Sequence, residues 1–248
     1  MSRRQSSSKG KENVDLPDWH NKYLGKRLFI FATGPSLTWQ DQSLVTQVLE
    51  NEYTMGCNGL FLWEGMVKPP TFYTMIDHPA MGFWAKDIEA LDTCRIAGLR
   101  SDWPTDMPKW YVVDQRRDWP LSAGNFNGQD DDFTWCAGRA NVIWSLSTQL
   151  AFWMGFDPVY ILGVDGTPEN GKRLHCYEVK DFILGKIEET KSDFNARTIL
   201  STRKSIPVVM DAYRRAGRSL INLNPDTFTR GIPTMTLKEA LYPLDGER

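Results

Sequence analysis

Short apolar segments alternate with stretches of helical spacing along most of the chain. Seven segments rich in β-branched and aromatic residues end at turn-forming residues and are predicted strands: Leu28–Ala32, Tyr53–Cys57, Thr71–Ile76, Thr93–Ala97, Trp110–Val113, Pro158–Gly163 and Ser219–Asn222. Six segments with helical spacing are predicted helices: Asp41–Asn51, Leu60–Met66, Gly82–Leu91, Arg139–Trp153, Lys204–Ala216 and Leu237–Tyr242. This alternation predicts an α/β protein with a Rossmann-like, mostly parallel sheet flanked by helices.

Two polar stretches interrupt this alternation. Residues Asp114 to Asp132 are rich in Gly, Asn and Asp, and residues Thr167 to about Ser201 are polar and charged. Both are predicted to be insertions, either long loops or lids or partly helical segments, and long loops in α/β proteins are often functional.

The N-terminal 15 residues are polar and carry Arg3, Arg4, Lys9 and Lys11. A segment of this composition buries too little apolar surface to fold, so residues 1–15 are predicted to be a disordered tail and residues 16–248 a single domain. The tail is either a solvated extension or a basic arm that contacts nucleic acid or another polyanion.

Charge and composition narrow the class of protein. The net charge is −2, which does not favour a nucleic-acid binder by bulk charge. No apolar run reaches the about 20 residues that span a bilayer, and the N-terminus has no signal-peptide core. Four cysteines without CxxC spacing predict reduced thiols in a cytoplasmic protein. A homo-oligomer is compatible with the sequence, which does not define the oligomeric state.

Small and polar residues follow several predicted strands. In open parallel sheets, ligands bind beyond the carboxyl ends of the strands. After the first strand, Gly34 permits a close approach to the backbone, and Pro35 suits the first position of a helix. The N–H groups of Ser36 and Leu37 are then expected to face an anion such as a phosphate.

The motifs "GPSL", "CNG" and "MGFDPVYILGVD", followed by a loop with His175, together resemble the bacterial sialyltransferases that include the Campylobacter lipooligosaccharide enzymes. They also resemble relatives with the domain of unknown function 115, such as flagellin glycosyltransferases and an archaeal pterin diphosphokinase. The resemblance covers roughly residues 27–225 and implies a Rossmann-like nucleotide-binding fold. It departs at Thr33, where the family usually has Asn.

The resemblance and the strand-end positions together give the predicted site residues. Candidates for nucleotide contacts are Thr33, Gly34, Pro35, Ser36, Asn58, Asp77, Gly138 and Gly163. The resemblance implies that His175 is the general base, and a neutral imidazole suits that task. Asp165, the other catalytic candidate, would bind a sugar or ribose hydroxyl or orient His175.

The predicted activity is transfer of a sugar from a nucleotide-sugar co-substrate to a hydroxyl acceptor, either a glycan or a modified base in DNA. No firm cofactor is predicted. Asp130-Asp131-Asp132 has the D-x-D pattern that can hold Mg²⁺ or Mn²⁺, but a metal is not favoured. The alternatives are a pterin diphosphokinase, which would need ATP and Mg²⁺ on carboxylates, and a non-catalytic nucleotide-binding module.

Overall fold

The computed structural model describes residues 17–76, 78–99, 109–114, 141–166, 175–177, 191–227 and 229–243. The predicted tail, Asp77, the Asp130–Asp132 run, Gly138 and most of the first predicted insertion lie outside these residues. Side chains are not described at 78–81, 99, 114 and 191–201.

The described residues form one seven-stranded sheet in which every pairing is parallel. The strands are β1 (Leu28–Phe31), β2 (Tyr53–Cys57), β3 (Phe72–Met75), β4 (Cys94–Leu99), β5 (Tyr111–Asp114), β6 (Val159–Leu162) and β7 (Leu220–Asn222). Their order across the sheet is β5-β4-β3-β2-β1-β6-β7. The chain therefore builds outward from β1 in one direction and then returns to add β6 and β7 on the other side, so the Rossmann-like α/β prediction is confirmed.

The helices are α1 (Gln42–Asn51), α2 (His78–Glu89), α3 (Thr148–Trp153), α4 (Lys191–Arg215) and α5 (Leu237–Leu241). Short 3-10 helices span Pro35–Trp39 and Asn58–Leu62, and a π-helical turn spans Ile143–Ser147 directly before α3.

The core lies on both faces of the sheet, and β1, near its centre, is apolar at every position. All four residues of β1 are fully buried. Leu28 and Ile30 pack with α3 and α4, whereas Phe29 and Phe31 pack with α1, α2 and α5. This is the pattern expected of a parallel strand covered by helices on both faces.

The buried helix before β6 differs from its prediction because it starts with the π-helical turn. Its polar side chains are buried and bond to carbonyls five residues earlier: Ser147 to Val142, Thr148 to Ile143, and Gln149 to Trp144. The wider turn allows these side chains to be satisfied inside the core, where an unpaired polar group is costly.

Three other helix boundaries were predicted wrongly. The segment predicted as a helix over Leu60–Met66 is a 3-10 helix over Asn58–Leu62, which begins at Asn58 with a positive φ of 48°. Helix α2 begins four residues before the predicted start at Gly82. Helix α4 begins at Lys191 and not at the predicted Lys204, so the second insertion is partly helical, as one of its two predicted alternatives had it. Its apolar positions, from Ile206 onward, pack on the core, and the polar residues before Lys204 lack that spacing.

Substitution of Leu28 by Ala should lower the free energy of unfolding by about 2–5 kcal/mol, because it leaves a cavity between β1 and its neighbours. The matched control is Leu24→Ala, since Leu24 is 62% exposed and should change stability by less than about 0.5 kcal/mol. Urea unfolding monitored by circular dichroism measures both, and equal losses would contradict the assignment of β1 to the core.

Candidate functional site

The candidate site lies at the carboxyl edge of the sheet, around the ends of β1, β2 and β6. The direction in which strands are added reverses between β1 and β6. The next described helices after these two strands, α1 and α4, pack on opposite faces of the sheet. In open α/β sheets, this arrangement leaves a crevice at the strand ends where ligands bind.

Two glycines let the chain after β1 run against the chain after β6. The Gly34 N–H donates to the Gly163 carbonyl oxygen at 2.9 Å. A Cβ atom at Gly34 would lie 2.5 Å from Asp165 Oδ2 and closer still to the Gly163 oxygen. Gly163 itself has a φ of +71°, a conformation that favours glycine. Both residues are therefore required for the approach of the two strand ends.

Asp165 joins the ends of three strands. Its Oδ2 accepts from the Ser36 N–H at 2.8 Å, and its Oδ1 accepts from Asn224 Nδ2 at 2.9 Å. Asn224 is placed by Asn222, whose Oδ1 accepts from the Asn224 N–H and whose Nδ2 donates to the Val164 carbonyl oxygen. The carboxylate therefore cross-links the loops after β1, β6 and β7.

The N–H groups of Ser36 and Leu37 were expected to be open to a bound anion, but both have partners within the chain. The Ser36 N–H bonds to Asp165, and the Leu37 N–H donates to the Gly34 carbonyl oxygen at 3.3 Å. The carboxylate of Asp165 therefore accepts the hydrogen bond of the Ser36 N–H that was expected to bind a phosphate.

His175 is attached to the end of β1. Its Nδ1 lies 3.1 Å from Thr33 Oγ1, and the next residue, Cys176, donates its N–H to the Thr33 carbonyl oxygen at 2.8 Å. Burial lowers the pKa of His175 below 6.5, and a hydrogen bond to the Thr33 main chain opposes this to a smaller degree. The imidazole is therefore neutral at pH 7.

Tyr177 connects the His175 segment to the end of β2. Its ring stacks on the His175 imidazole with centroids 5.0 Å apart and an angle of 6° between the planes. The same ring contacts Gly59 so closely that a Cβ there would overlap the phenol, and it meets Trp84 edge-on. The segment 175–177 consequently packs over the turn at Asn58-Gly59.

Asn58 begins the turn after β2. Its carbonyl oxygen accepts from the Tyr73 hydroxyl at 2.8 Å, which holds the residue in the left-handed conformation. Among the described residues, its buried Oδ1 and the buried Ser36 Oγ have no hydrogen-bond partner. Buried polar atoms are rarely left unpaired in proteins, so these two atoms are candidates for ligand contact.

The structure brings most of the predicted site residues to one edge: Thr33, Gly34, Pro35, Ser36, Asn58, Gly163, Asp165 and His175. Asp77 and Gly138 lie outside the described residues. Asp165 bonds to Ser36 and Asn224 and makes no hydrogen bond to His175 within the described chain, so it does not orient the imidazole directly.

Two residues of this edge were missed from sequence. Asn224 follows β7, and the strand-end rule applied to that strand would have indicated it. Tyr177 has no local signal, because its role depends on a ring contact with the distant Gly59.

Two of the described thiols are unsuited to nucleophilic chemistry. Cys57, Cys94 and Cys176 are free cysteines. Burial raises the pKa of Cys57, and it raises the pKa of Cys94 to about 11, so both thiols remain protonated near neutral pH.

The described residues lack both a metal-binding cluster and a membrane-spanning helix. No group of three or more His, Cys, Asp or Glu side chains that could hold a metal ion occurs there. Nor does any described helix combine the length and apolar character needed to cross a bilayer.

Comparison with known proteins shows that this fold is shared with solved structures. No known protein-family profile matches the sequence, and no curated protein matches it. Solved structures do match. The MAf glycosyltransferase of Magnetospirillum magneticum aligns over 92% of this chain with a TM-score of 0.57 and 13% identity. This chain covers 36% of that protein's length.

Two structures of the sialyltransferase CstII also match. A variant in complex with CMP aligns over 85% of this chain and 86% of its own, with a TM-score of 0.54 and 15% identity. The Campylobacter jejuni enzyme with the substrate analogue CMP-3FNeuAc aligns over the same shares, with a TM-score of 0.51 and 14% identity. At these identities the likeness establishes a shared fold.

Replacing Asp165 with Asn should lower the free energy of unfolding by about 1–3 kcal/mol, because the new NH₂ group would face a donor at Ser36 or Asn224. Asp226→Asn is the matched control, since Asp226 is exposed and follows the same loop. Urea unfolding compares the two, and an Asp165 variant as stable as the control would contradict the three-strand link.

The buried His175 should make the protein less stable in acid. Its pKa in the folded state lies below 6.5, so the unfolded chain binds the proton first as the pH falls. The stability advantage of wild type over His175→Gln is therefore greatest above pH 6.5 and decreases as the pH falls through the folded-state pKa. Urea unfolding of both proteins across this range measures the trend, and a pH-independent difference would contradict it.

Proposed function

We propose that the protein is a glycosyltransferase-like enzyme that transfers a sugar from a nucleotide-sugar to a hydroxyl acceptor, with His175 as the general base. The observation that carries the proposal is an imidazole fixed to the end of β1 by Thr33, at the same sheet edge as two buried polar atoms, Ser36 Oγ and Asn58 Oδ1, that have no partner among the described residues. A Rossmann-like sheet binds its ligands at this edge. The resemblance to sialyltransferases and the solved glycosyltransferase structures with this fold support the same class of reaction.

In the proposed reaction, the acceptor oxygen attacks the anomeric carbon of the donor sugar. Its proton passes to His175, the bond between the sugar and the donor phosphate breaks, and the electron pair leaves with the nucleotide. A positioned general base contributes typically 10²–10⁴-fold to such a step.

In this proposal the nucleotide contacts come from residues at the ends of β1 and β2. Asn58 Oδ1 can accept from an N–H or O–H group of the nucleotide, and Ser36 Oγ can either donate or accept. Lys172 and Arg173 shortly precede His175 in sequence, and the proposal assigns their positive charges to the leaving phosphate.

The first test is a thermal-shift panel of CMP, UDP, GDP and ATP together with their sugars. A ligand that binds only the folded state stabilises it by about 2.7 kcal/mol at 100 times its Kd, which raises Tm. We expect one nucleotide and its sugar to raise Tm. The absence of any shift would contradict the proposal, and a shift with ATP alone that needs Mg²⁺ would favour the pterin diphosphokinase.

The second test separates catalysis from binding. His175→Ala should lower the transfer rate with the donor found in the panel by about 10²–10⁴-fold while nucleotide affinity is kept. His20→Ala is the matched control, because His20 stacks on Trp153 at the opposite edge of the sheet. Full activity in the His175 variant would remove the assigned base, and tight binding without any turnover by the wild type would indicate a non-catalytic module.

A further inference from the structure

We propose that Thr33 is a positioning residue whose hydroxyl holds Nδ1 of His175, so that Nε2 is left as the proton acceptor. The 3.1 Å contact between Thr33 Oγ1 and His175 Nδ1 carries this assignment. This role differs from the nucleotide contact that the sequence predicted for Thr33. Its catalytic consequence rests on the proposed function, whereas the orientation of the imidazole does not.

Thr33 is itself held firmly at the end of β1. The residues on either side bond to the chain after β6, through Ala32 N–H to the Leu162 oxygen at 2.8 Å and Gly34 N–H to the Gly163 oxygen at 2.9 Å. Successive residues of a strand bond to opposite sides, so Thr33 faces away from β6. Its carbonyl oxygen accepts from Cys176 there, which fixes the main chain next to His175.

The imidazole is restrained on its face as well as at its nitrogen. Tyr177 stacks against the ring, and the close packing of Tyr177 on Gly59 limits how far that stack can shift. Rotation of the imidazole would break the Thr33 contact and lose the stacking. One orientation is therefore stabilised before any ligand arrives, which is the condition for an efficient base.

The contact between Thr33 Oγ1 and Nδ1 links the hydroxyl to the tautomer of the imidazole. A hydroxyl oxygen can accept a hydrogen bond as well as donate one. In the proposal, Nδ1 carries the proton and the Thr33 hydroxyl oxygen accepts from it. No described residue hydrogen-bonds to Nε2, so its lone pair is available to a substrate hydroxyl.

The direct test is ¹⁵N NMR of the imidazole nitrogens in the full chain, at a pH about one unit above the ordinary histidine pKa. The chain has three histidines, and His175→Ala assigns the signals of interest. We expect protonated Nδ1 and unprotonated Nε2 in the wild type and in Thr33→Ser. Thr33→Val, which keeps the shape and removes the hydroxyl, should show a mixture of tautomers.

A wild-type spectrum with protonated Nε2 would overturn the proposal, and so would a Thr33→Val spectrum identical to wild type. The wild-type and Thr33→Ser spectra decide the question even if the Val variant does not fold. These readouts require no activity, so they also remain decisive if sugar transfer is not found and the proposed function fails.

Kinetics with the donor identified by the nucleotide panel provide the second readout. Thr33→Val should lower kcat by about tenfold, the scale of one lost hydrogen bond, with KM for the donor and Kd for its nucleotide within about twofold of wild type. Thr33→Ser should restore kcat. A tenfold rise in the nucleotide Kd with an unchanged tautomer would instead make Thr33 a nucleotide contact and overturn the positioning role.

Discussion

The close contact between the chain leaving β1 and the chain leaving β6 is the constraint on which the candidate site depends. Pairing continues past the last strand residues, through the hydrogen bond from Gly34 to the Gly163 carbonyl oxygen. Any side chain at Gly34 would overlap that oxygen and Asp165. Because the two chains stay together for these extra residues, Asp165 comes within reach of the Ser36 amide and of Asn224.

The same pairing also explains the arrangement on the other side of β1. Ala32 and Gly34 direct their main-chain groups toward β6, so Thr33, which lies between them, must direct its own toward β2. In segment 175–177, the Cys176 N–H donates to the Thr33 carbonyl oxygen. The segment then packs over the turn at Asn58-Gly59. The position of His175 is thus tied to the strand geometry at the end of β1.

Sequence patterns were sufficient for the sheet because each strand is a short apolar run bounded by turn residues. They were less successful for helices whose packing is partial or irregular. The N-terminal half of α4 has no apolar spacing, and the π-helical turn depends on buried side chains such as Ser147 and Thr148 that must find partners. Neither feature has a signal in the periodicity of hydrophobic residues.

At the candidate site, sequence patterns predicted which residues lie at the edge but not which side chains contact one another. Strand-end rules and the resemblance to sialyltransferases identified Thr33, Asn58, Asp165 and His175 as members of one edge. They did not predict that Asp165 bonds to Asn224, or that Thr33 faces His175, because side-chain direction depends on residues far away in sequence. The carboxylate that accepts from the Ser36 amide was not predicted for the same reason, since nothing local to "GPSL" indicates Asp165.

The charges at this edge constrain how a nucleotide-sugar would be oriented in the proposed complex. Asp165 places a carboxylate at the end of β6, beside the Ser36 amide, and a phosphate there would be repelled by it. Ser36 Oγ and Asn58 Oδ1, which have no hydrogen-bond partner among the described residues, are neutral, and the second can only accept a hydrogen bond. An acceptor of this kind suits the N–H or O–H donors of a base or ribose better than a phosphate. The leaving phosphate and His175 would then lie on opposite sides of the anomeric carbon, because the hydroxyl that His175 deprotonates attacks from the side opposite the leaving group.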